Sequence, residues 1–452
     1  MNVAILGTGY VGLTTGACLA YLGHQVTCVD PDERKIGALQ RGEVPFYEPH
    51  LEDLLAEARP HLQFTMDYSQ AVPSAQVVFI AVGTPPGTNG APDLRYLQAA
   101  AEGVGERLGP HFTVVVNKST VPIGSGNWVG ALIRDAAERQ GRGRGCFAVA
   151  SNPEFLREGS ALQDSLYPDR VVIGADEAQT AEVLYTLYRP ILDQTFQPPP
   201  FLPRPDRVGG VPLISTDLAS AELIKYAANA FLALKISYIN EIGQLAEKVG
   251  ADIAQVARGI GLDARIGTRF LQAGIGWGGS CFGKDTAALV STASEYALEM
   301  PIVKAAREVN RRQRERVIDK LLGELKILKG RTIGLLGLAF KPHTDDLREA
   351  PALDVARQLL ERGARVKAHD PIAMDRFKKE NPGMDVLLPG EAHEVARDAD
   401  ALVLVTEWPE YLELDWESLA AGMRTPILLD ARHALDRARI TRAGFRYLTL
   451  AG

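Results

Sequence analysis

The sequence predicts an α/β protein built from two doubly wound parallel sheets joined by one long helix, and three observations carry that prediction. Short apolar runs alternate with helical patterns through the first part of the chain, beginning at residue 2. The stretch Asp217 to Val249 holds apolar residues at helical spacing with no proline, longer than an ordinary globular helix. The strand-and-helix alternation then restarts at Arg331.

Taken in order, residues 2 to 6 read as a buried strand, followed by Gly7-Thr8-Gly9-Tyr10-Val11-Gly12 and a helix to Leu22 that Gly23 ends. His24 to Val29 is a second strand closing on Asp30, and Gln76 to Val82, Thr113 to Asn117 and Phe147 to Ala150 are further apolar runs. Ser151 to Gly159 reads as a short helix, with Asn152 as its N-cap, Pro153 at its first position, Glu154 and Glu158 on one face and Gly159 as its stop. Residues 197 to 212, QPPPFLPRPDRVGGVP, hold prolines that forbid helix and central strand, so they read as an exposed loop. In the second half, strands are expected at Thr332 to Leu336, Arg365 to His369 closing on Asp370, Ala401 to Val405 and Ile427 to Leu429, with a helix at Ala352 to Leu360. The run Arg307, Arg311, Arg312, Arg314, Arg316 reads as a solvated helix face.

The bounds agree with a compact chain. It has 452 residues, 46% hydrophobic and 23% charged, enough for several cores without staples. A net charge of −7 provides no field for a phosphate backbone, so nucleic acid is not an expected partner. No apolar run spans a membrane and no targeting segment is expected. The four cysteines, Cys18, Cys28, Cys146 and Cys281, form no C-x-x-C pair, which fits a reducing cytoplasm.

Two motifs carry chemistry on their own terms. Gly7-x-Gly9-x-x-Gly12 lies between strand and helix, where glycines allow a tight turn and close approach of backbone to a pyrophosphate. Asp30 ends the next strand, placed for its carboxylate to bond adenosine ribose hydroxyls, which favours NAD over NADP; Lys35 nearby is the one feature that argues the other way. Gly274 to Asp285, GIGWGGSCFGKD, puts four glycines in six residues before a thiol followed by Lys284 and Asp285, a loop whose backbone can lie on a ligand and whose cation activates a nucleophile. Cys18, Cys28 and Cys146 read instead as small buried hydrophobes. Lys225 and Asn229 stand four apart on the long helix; they can address one ligand, although periodicity alone favours a solvated pair.

Together these residues resemble the UDP-glucose/GDP-mannose dehydrogenase family over nearly the whole chain. The resemblance rests on GTGYVG, Lys118-Ser119-Thr120-Val121-Pro122, NPEFLREG, AELIKYAANAFLALKISYINE from Ala221, GWGGSCFGKD, and GLAFKPHTDDLREAP from Gly337. It implies two Rossmann-like domains: an N-terminal one for NAD over residues 1–196 and a C-terminal one for the UDP-sugar over 326–452. The Pro-rich loop 197–212 and a central helical, dimer-forming domain 213–325 lie between them. It also implies a cytoplasmic homodimer that oxidises carbon 6 of UDP-glucose to UDP-glucuronate in two steps with NAD.

Carried over by position, the resemblance makes Cys281 the nucleophile, with Asp285, Lys225, Asn229 and Thr120 handling protons and oxyanions and Glu154 assisting hydrolysis. Gly7, Gly9, Val11, Gly12, Asp30, Lys35, Thr84, Thr120, Glu158, Lys284 and Arg348 match cofactor positions. Glu154, Phe155, Leu156, Lys225, Asn229, Arg265, Phe270, Gly278, Lys341 and Arg432 match positions around the sugar nucleotide, with Arg265 crossing from the partner subunit. No metal is implied. The Pro-rich segment looks longer than the family's usual link, and Trp277 stands where Phe is more usual. A GDP-mannose or UDP-N-acetylmannosamine dehydrogenase is the near alternative, and Cys281-Phe282 resembles the UDP-glucose branch more. A silent nucleotide-sugar sensor would keep the glycines and lose Cys281, Lys225 and Asp285.

Overall fold

The computed structural model describes residues 1–85, 87, 91–141, 147–206 and 209–451. It divides into two compact units, Met1–Ala228 with Ala287–Tyr296, and Asn229–Thr286 with Ala297–Gly452.

The first unit holds an eight-stranded sheet. Its strands are β1 (Asn2–Leu6), β2 (Gln25–Val29), β3 (Leu62–Thr65), β4 (Val77–Ile80), β5 (Thr113–Asn117), β6 (Phe147–Ser151), β7 (Val171–Ala175) and β8 (Leu213–Thr216), in the order 3-2-1-4-5-6-7-8. Every pair is parallel except β6 with β7. Both faces are covered, as a parallel sheet requires. The pleat divides β4 between them: Val77 and Phe79 pack into one core, Val78 and Ile80 into the other. The order reverses between β1 and β4, and the carboxyl ends around that point deliver the Gly7 turn, Asp30, Thr84, Thr120 and the segment after Ser151.

The second unit holds β9 (Thr332–Leu336), β10 (Arg365–His369), β11 (Val386–Leu387), β12 (Ala401–Leu404), β13 (Ile427–Asp430) and β14 (Arg446–Thr449), all parallel, in the order 11-10-9-12-13-14. The expected long helix is Leu218–Val249, of 32 residues.

Two local expectations are corrected. Residues 152–157 form no helix. Asn152 is consumed by tertiary partners: its Oδ1 accepts Lys118 Nζ at 2.9 Å and the Tyr188 hydroxyl at 2.6 Å, and its Nδ2 donates to the Val172 carbonyl at 2.8 Å. With its side chain used up, it cannot cap a helix, and Glu154 and Glu158 share no helical face. The Pro-rich segment carries no helix or strand among its described residues, but it is no exposed linker. Phe201, Leu202 and Val211 pack on the first core, Pro199 is buried, and the hydroxyls of Tyr21 and Tyr167 donate to the carbonyls of Gln197 and Leu202, both at 2.9 Å.

Candidate functional site

The turn after β1 is shaped by close approach. Gly7 has φ +100°, and a Cβ there would lie 2.6 Å from the Ala81 carbonyl oxygen; one on Gly12 would lie 1.9 Å from the Gly7 oxygen. A Cβ on Gly9 would meet nothing within 4 Å. Two glycines are thus demanded by the protein itself, while the third faces open space at the start of the helix Tyr10–Tyr21, where amides without intrahelical partners collect. Val11, the next residue of that helix, is half-buried.

Asp30 is buried at the end of β2. Its Oδ2 accepts the amide and the hydroxyl of Thr8, both at 2.8 Å, and its Oδ1 accepts the Asp32 amide at 3.0 Å. Burial raises its pKa, but these donors and Lys35, 3.6 Å away, outweigh burial and hold it below the usual carboxylate range. Lys35 is therefore engaged by Asp30, which answers the argument for NADP. The Thr84 hydroxyl donates to the Thr120 carbonyl at 2.9 Å, fixing the two loops to each other. The open edge at Gly9 and the strand-end acid fit a dinucleotide.

Lys225 is not the solvated residue its periodicity suggests. It is buried, and its Nζ donates to Glu154 Oε1 at 2.9 Å, while Glu154 Oε2 accepts the Leu156 amide at 2.7 Å. Burial raises the Glu154 pKa, yet Lys225, the Leu156 amide and Lys118 together draw it below its ordinary value, so Glu154 is a carboxylate at neutral pH. Lys118 opens one of the motifs that carry the resemblance, but the sequence assigns it no role at the site. It is buried beside this pair, and burial pulls its pKa down to about 8. The ring of Phe155 lies between two cations, 3.7 Å from the Arg170 guanidinium carbon and 5.5 Å from Lys225 Nζ. Leu156 and Glu158 are half-buried beside it in sequence.

In the second unit the glycine loop is held from several sides. Gly276 has φ +91° and a Cβ would sit 2.2 Å from Asn310 Oδ1; a Cβ on Gly278 would sit 2.5 Å from the Glu349 carbonyl oxygen. Asn310 accepts the Trp277 amide at 2.8 Å and donates to its carbonyl at 2.9 Å. The loop runs into the helix Phe282–Glu295, whose first bond joins the Asp285 amide to the Cys281 carbonyl at 2.8 Å. Cys281, half-buried, thus stands at a helix N-terminus with Lys284 in the first turn. Ser280 Oγ lies 3.7 Å from its Sγ. Asp285 is buried: Oδ2 accepts Asn229 Nδ2 at 2.6 Å, and Oδ1, 3.5 Å from Lys284 Nζ, has no hydrogen-bond partner among the described residues. Cys18 and Cys28 are buried, with burial pushing both thiols up to about 12, as inert packing residues. Cys146 lies outside the described residues.

The expected sugar-nucleotide residues fare unequally. Phe270, at φ +64°, has its ring 6.3 Å from that of Phe282, which meets Trp277 edge-on at 6.0 Å. Lys341 is half-buried with its Nζ 5.6 Å over Phe340. Arg432 donates to three carbonyls, of Val405 at 2.6 Å, Phe340 at 2.9 Å and Gly276 at 3.2 Å, so its guanidinium stitches the loop in place. Arg348 forks onto Asp346, with Nη2 at 2.8 Å, and its carbonyl accepts the Gly279 amide at 3.0 Å. Arg265 is exposed and paired with Asp263 at 2.6 Å.

The arginine run is corrected in part. Arg311 and Arg312 are exposed and paired with Glu308, as a solvated face requires. Arg307 instead donates to the Gly283 carbonyl at 2.6 Å, Arg314 to those of Trp277 and Glu349 at 3.1 Å, and Arg316 pairs with Glu247 at 2.6 Å. Periodicity marks a charged face but not the loop carbonyls it meets. Glu48 and Glu222 were also missed. Both are buried carboxylates that grip loop amides, Glu222 those of Gly124 and Gly126 at 2.6 and 2.9 Å. No group of metal-ligating side chains occurs among the described residues.

Comparison with known proteins bears on this arrangement. Residues 1–192 match the NAD binding domain of the UDP-glucose/GDP-mannose dehydrogenase family, 219–312 its central domain and 334–437 its UDP binding domain. A UDP-glucose 6-dehydrogenase of Bacillus subtilis is 43% identical over 99% of this chain and 92% of its own length. One of Pseudomonas aeruginosa is 45% identical over 99% and 96%. The solved structure of a UDP-glucose dehydrogenase from Pyrobaculum islandicum, 39% identical, superposes with a TM-score of 0.89 over 100% of this chain and 97% of that one.

Proposed function

The chain belongs to the UDP-glucose/GDP-mannose dehydrogenase family, and from that premise we propose that it oxidises carbon 6 of UDP-glucose to the carboxylate of UDP-glucuronate, consuming two NAD per sugar with Cys281 as covalent anchor. The observation that carries the reading is Cys281 at the start of a helix in a glycine loop, one turn before the buried Asp285.

The electrons balance in three stages. The alcohol gives up a hydride and its hydroxyl proton and becomes an aldehyde. The Cys281 thiolate then adds to the aldehyde carbon, its oxyanion takes a proton, and loss of that proton with a second hydride leaves a thioester. Water attacks the thioester, the C–S bond breaks, and the acid and the thiolate are released. NAD, held by the turn at Gly9 and by Asp30, supplies the acceptor for each hydride. Asp285, kept in one orientation by Asn229, and Lys225 handle protons and developing negative charge, while Thr120 holds water. Glu154, ionised at neutral pH, takes the proton of the attacking water.

The test is a panel of UDP-glucose, UDP-galactose, GDP-mannose and UDP-N-acetylmannosamine with NAD, counting NADH per sugar. Two per UDP-glucose, and little turnover of the others, is the expected result. Asp30 sets cofactor choice. Its carboxylate and a 2′-phosphate about 4 Å away repel by roughly 4 kcal/mol at an effective dielectric of 20, so NADP should be a poor substrate and Asp30→Ala should raise the NADP/NAD ratio of kcat/KM at least tenfold. A wild-type ratio near one, or no change in the variant, contradicts the assignment.

The working form is a cytoplasmic homodimer. Supporting this, Phe231, Tyr238 and Leu245 stand seven apart on the helix Leu218–Val249 and are exposed in the single chain at 61%, 49% and 59%, an apolar stripe that calls for a cover. Among the described residues no helix is long and apolar enough to cross a membrane. Phe231→Glu should shift sedimentation from dimer to monomer; an unchanged sedimentation coefficient would rule the stripe out as the contact.

A further inference from the structure

Between the helices Glu33–Arg41 and Leu51–Ala58 the chain delivers a carboxylate for which the proposed chemistry has no use. Glu48 is 6% exposed, and Pro49 behind it restricts its backbone to extended conformations. Its Oε1 accepts the Ala161 amide at 2.7 Å; its Oε2 accepts the Gly159 amide at 2.6 Å and the hydroxyl of Tyr10. The Gly159 amide also lies 2.9 Å from the Tyr10 oxygen. The Tyr10 ring packs on Phe46, from the same loop as Glu48, with centroids 5.1 Å apart. Burial, with Glu48 beside it, pushes the Tyr10 hydroxyl pKa up, so it stays a donor at neutral pH.

These contacts join three separate stretches of the first unit. Tyr10 directly follows Gly9 and opens the helix at the dinucleotide turn. Gly159 lies at the end of the stretch that holds Glu154 and Glu158, which has no helix or strand of its own to fix it, and Ala161 opens the helix Ala161–Leu166 that follows. We infer that Glu48 and Tyr10 form a positioning clamp that ties the dinucleotide-binding turn to the segment carrying Glu154 and Glu158, and so sets where that segment stands against bound cofactor. The inference rests on the proposed function for the identity of the cofactor. A carboxylate suits the task because both its oxygens accept, whereas an amide of the same shape would turn an N–H against one of the donors.

The test is calorimetric titration of NAD alone and of UDP-glucose alone into wild type, Glu48→Gln, Tyr10→Phe and the double variant, with kcat measured beside it. In Glu48→Gln the NAD Kd should rise about tenfold, the scale of one charge-assisted hydrogen bond, and kcat should fall, with a clearly smaller rise in UDP-glucose Kd, because the clamp bears directly on the dinucleotide turn at Tyr10 and on the sugar nucleotide only through the segment around Glu154. Tyr10→Phe should move NAD in the same direction by less, and the double variant should bind NAD no worse than Glu48→Gln, because both changes open one clamp. Equal weakening of both ligands, strictly additive losses, or an NAD Kd within about twofold of wild type in the variants would overturn the clamp. If Glu48→Gln does not fold, Tyr10→Phe decides alone. Wild-type protein that binds NAD but oxidises a different sugar nucleotide refutes the proposed substrate and supports the clamp wherever the variants still lose NAD selectively.

Discussion

Cys281→Ser should lose at least about 100-fold in turnover, the scale of losing a covalent catalyst, while its affinity for UDP-glucose stays near that of wild type. The hydroxyl fills much of the thiol's space, and the glycine loop is held by Asn310, Arg314 and Arg432 through backbone groups that the substitution leaves alone. What changes is chemistry. A hydroxyl at a helix N-terminus remains largely un-ionised at neutral pH, and an oxygen ester transfers its acyl group to water more slowly than a thioester. The second oxidation and the hydrolysis should therefore slow more than the first oxidation. Stopped-flow NADH traces check this: a first phase near the wild-type rate followed by a stall is expected, and two unslowed phases would remove Cys281 from the mechanism.

Lys225→Ala should lower kcat by about 100-fold or more with a smaller effect on KM, since an ammonium aimed at oxygen acts on charge that is present mainly in the transition state. The buried pair with Glu154 adds a second signature. Lys225 draws the Glu154 pKa down, so its removal leaves that pKa raised by burial, and the acid limb of the kcat–pH profile should move to higher pH. Glutamine at position 225 should restore packing without restoring the charge. Turnover left intact with only KM raised would make Lys225 a binding group, and an unmoved acid limb would separate Glu154 from the observed ionisation.

What could be read from residues alone follows the range of the interactions. β1, β5 and β9 have the predicted bounds because each is built on an apolar run that is buried almost throughout, and β10, RVKAH, has them because its alternating burial follows the two-residue period of a strand. β3 and β14, LQFT and RYLT, carry too few apolar residues to stand out, and their place in a sheet comes from their neighbours. At the site, the glycines were legible because turn geometry is local, and Cys281 stands out in the sequence because it follows them directly. Asn152 was misread as a cap because its partners Lys118, Val172 and Tyr188 are 20 to 36 residues away. The burial of Lys225 was hidden in the same way, its counter-charge being 71 residues distant.

The central claim is that carbon 6 passes from aldehyde to acid while bonded to Cys281. The most direct test is the yield of NADH per UDP-glucose consumed by Cys281→Ala, set against two for wild type. With no sulfur to form the adduct, the account predicts at most one NADH per sugar and no sustained release of UDP-glucuronate. Two NADH per sugar at the wild-type rate would contradict it.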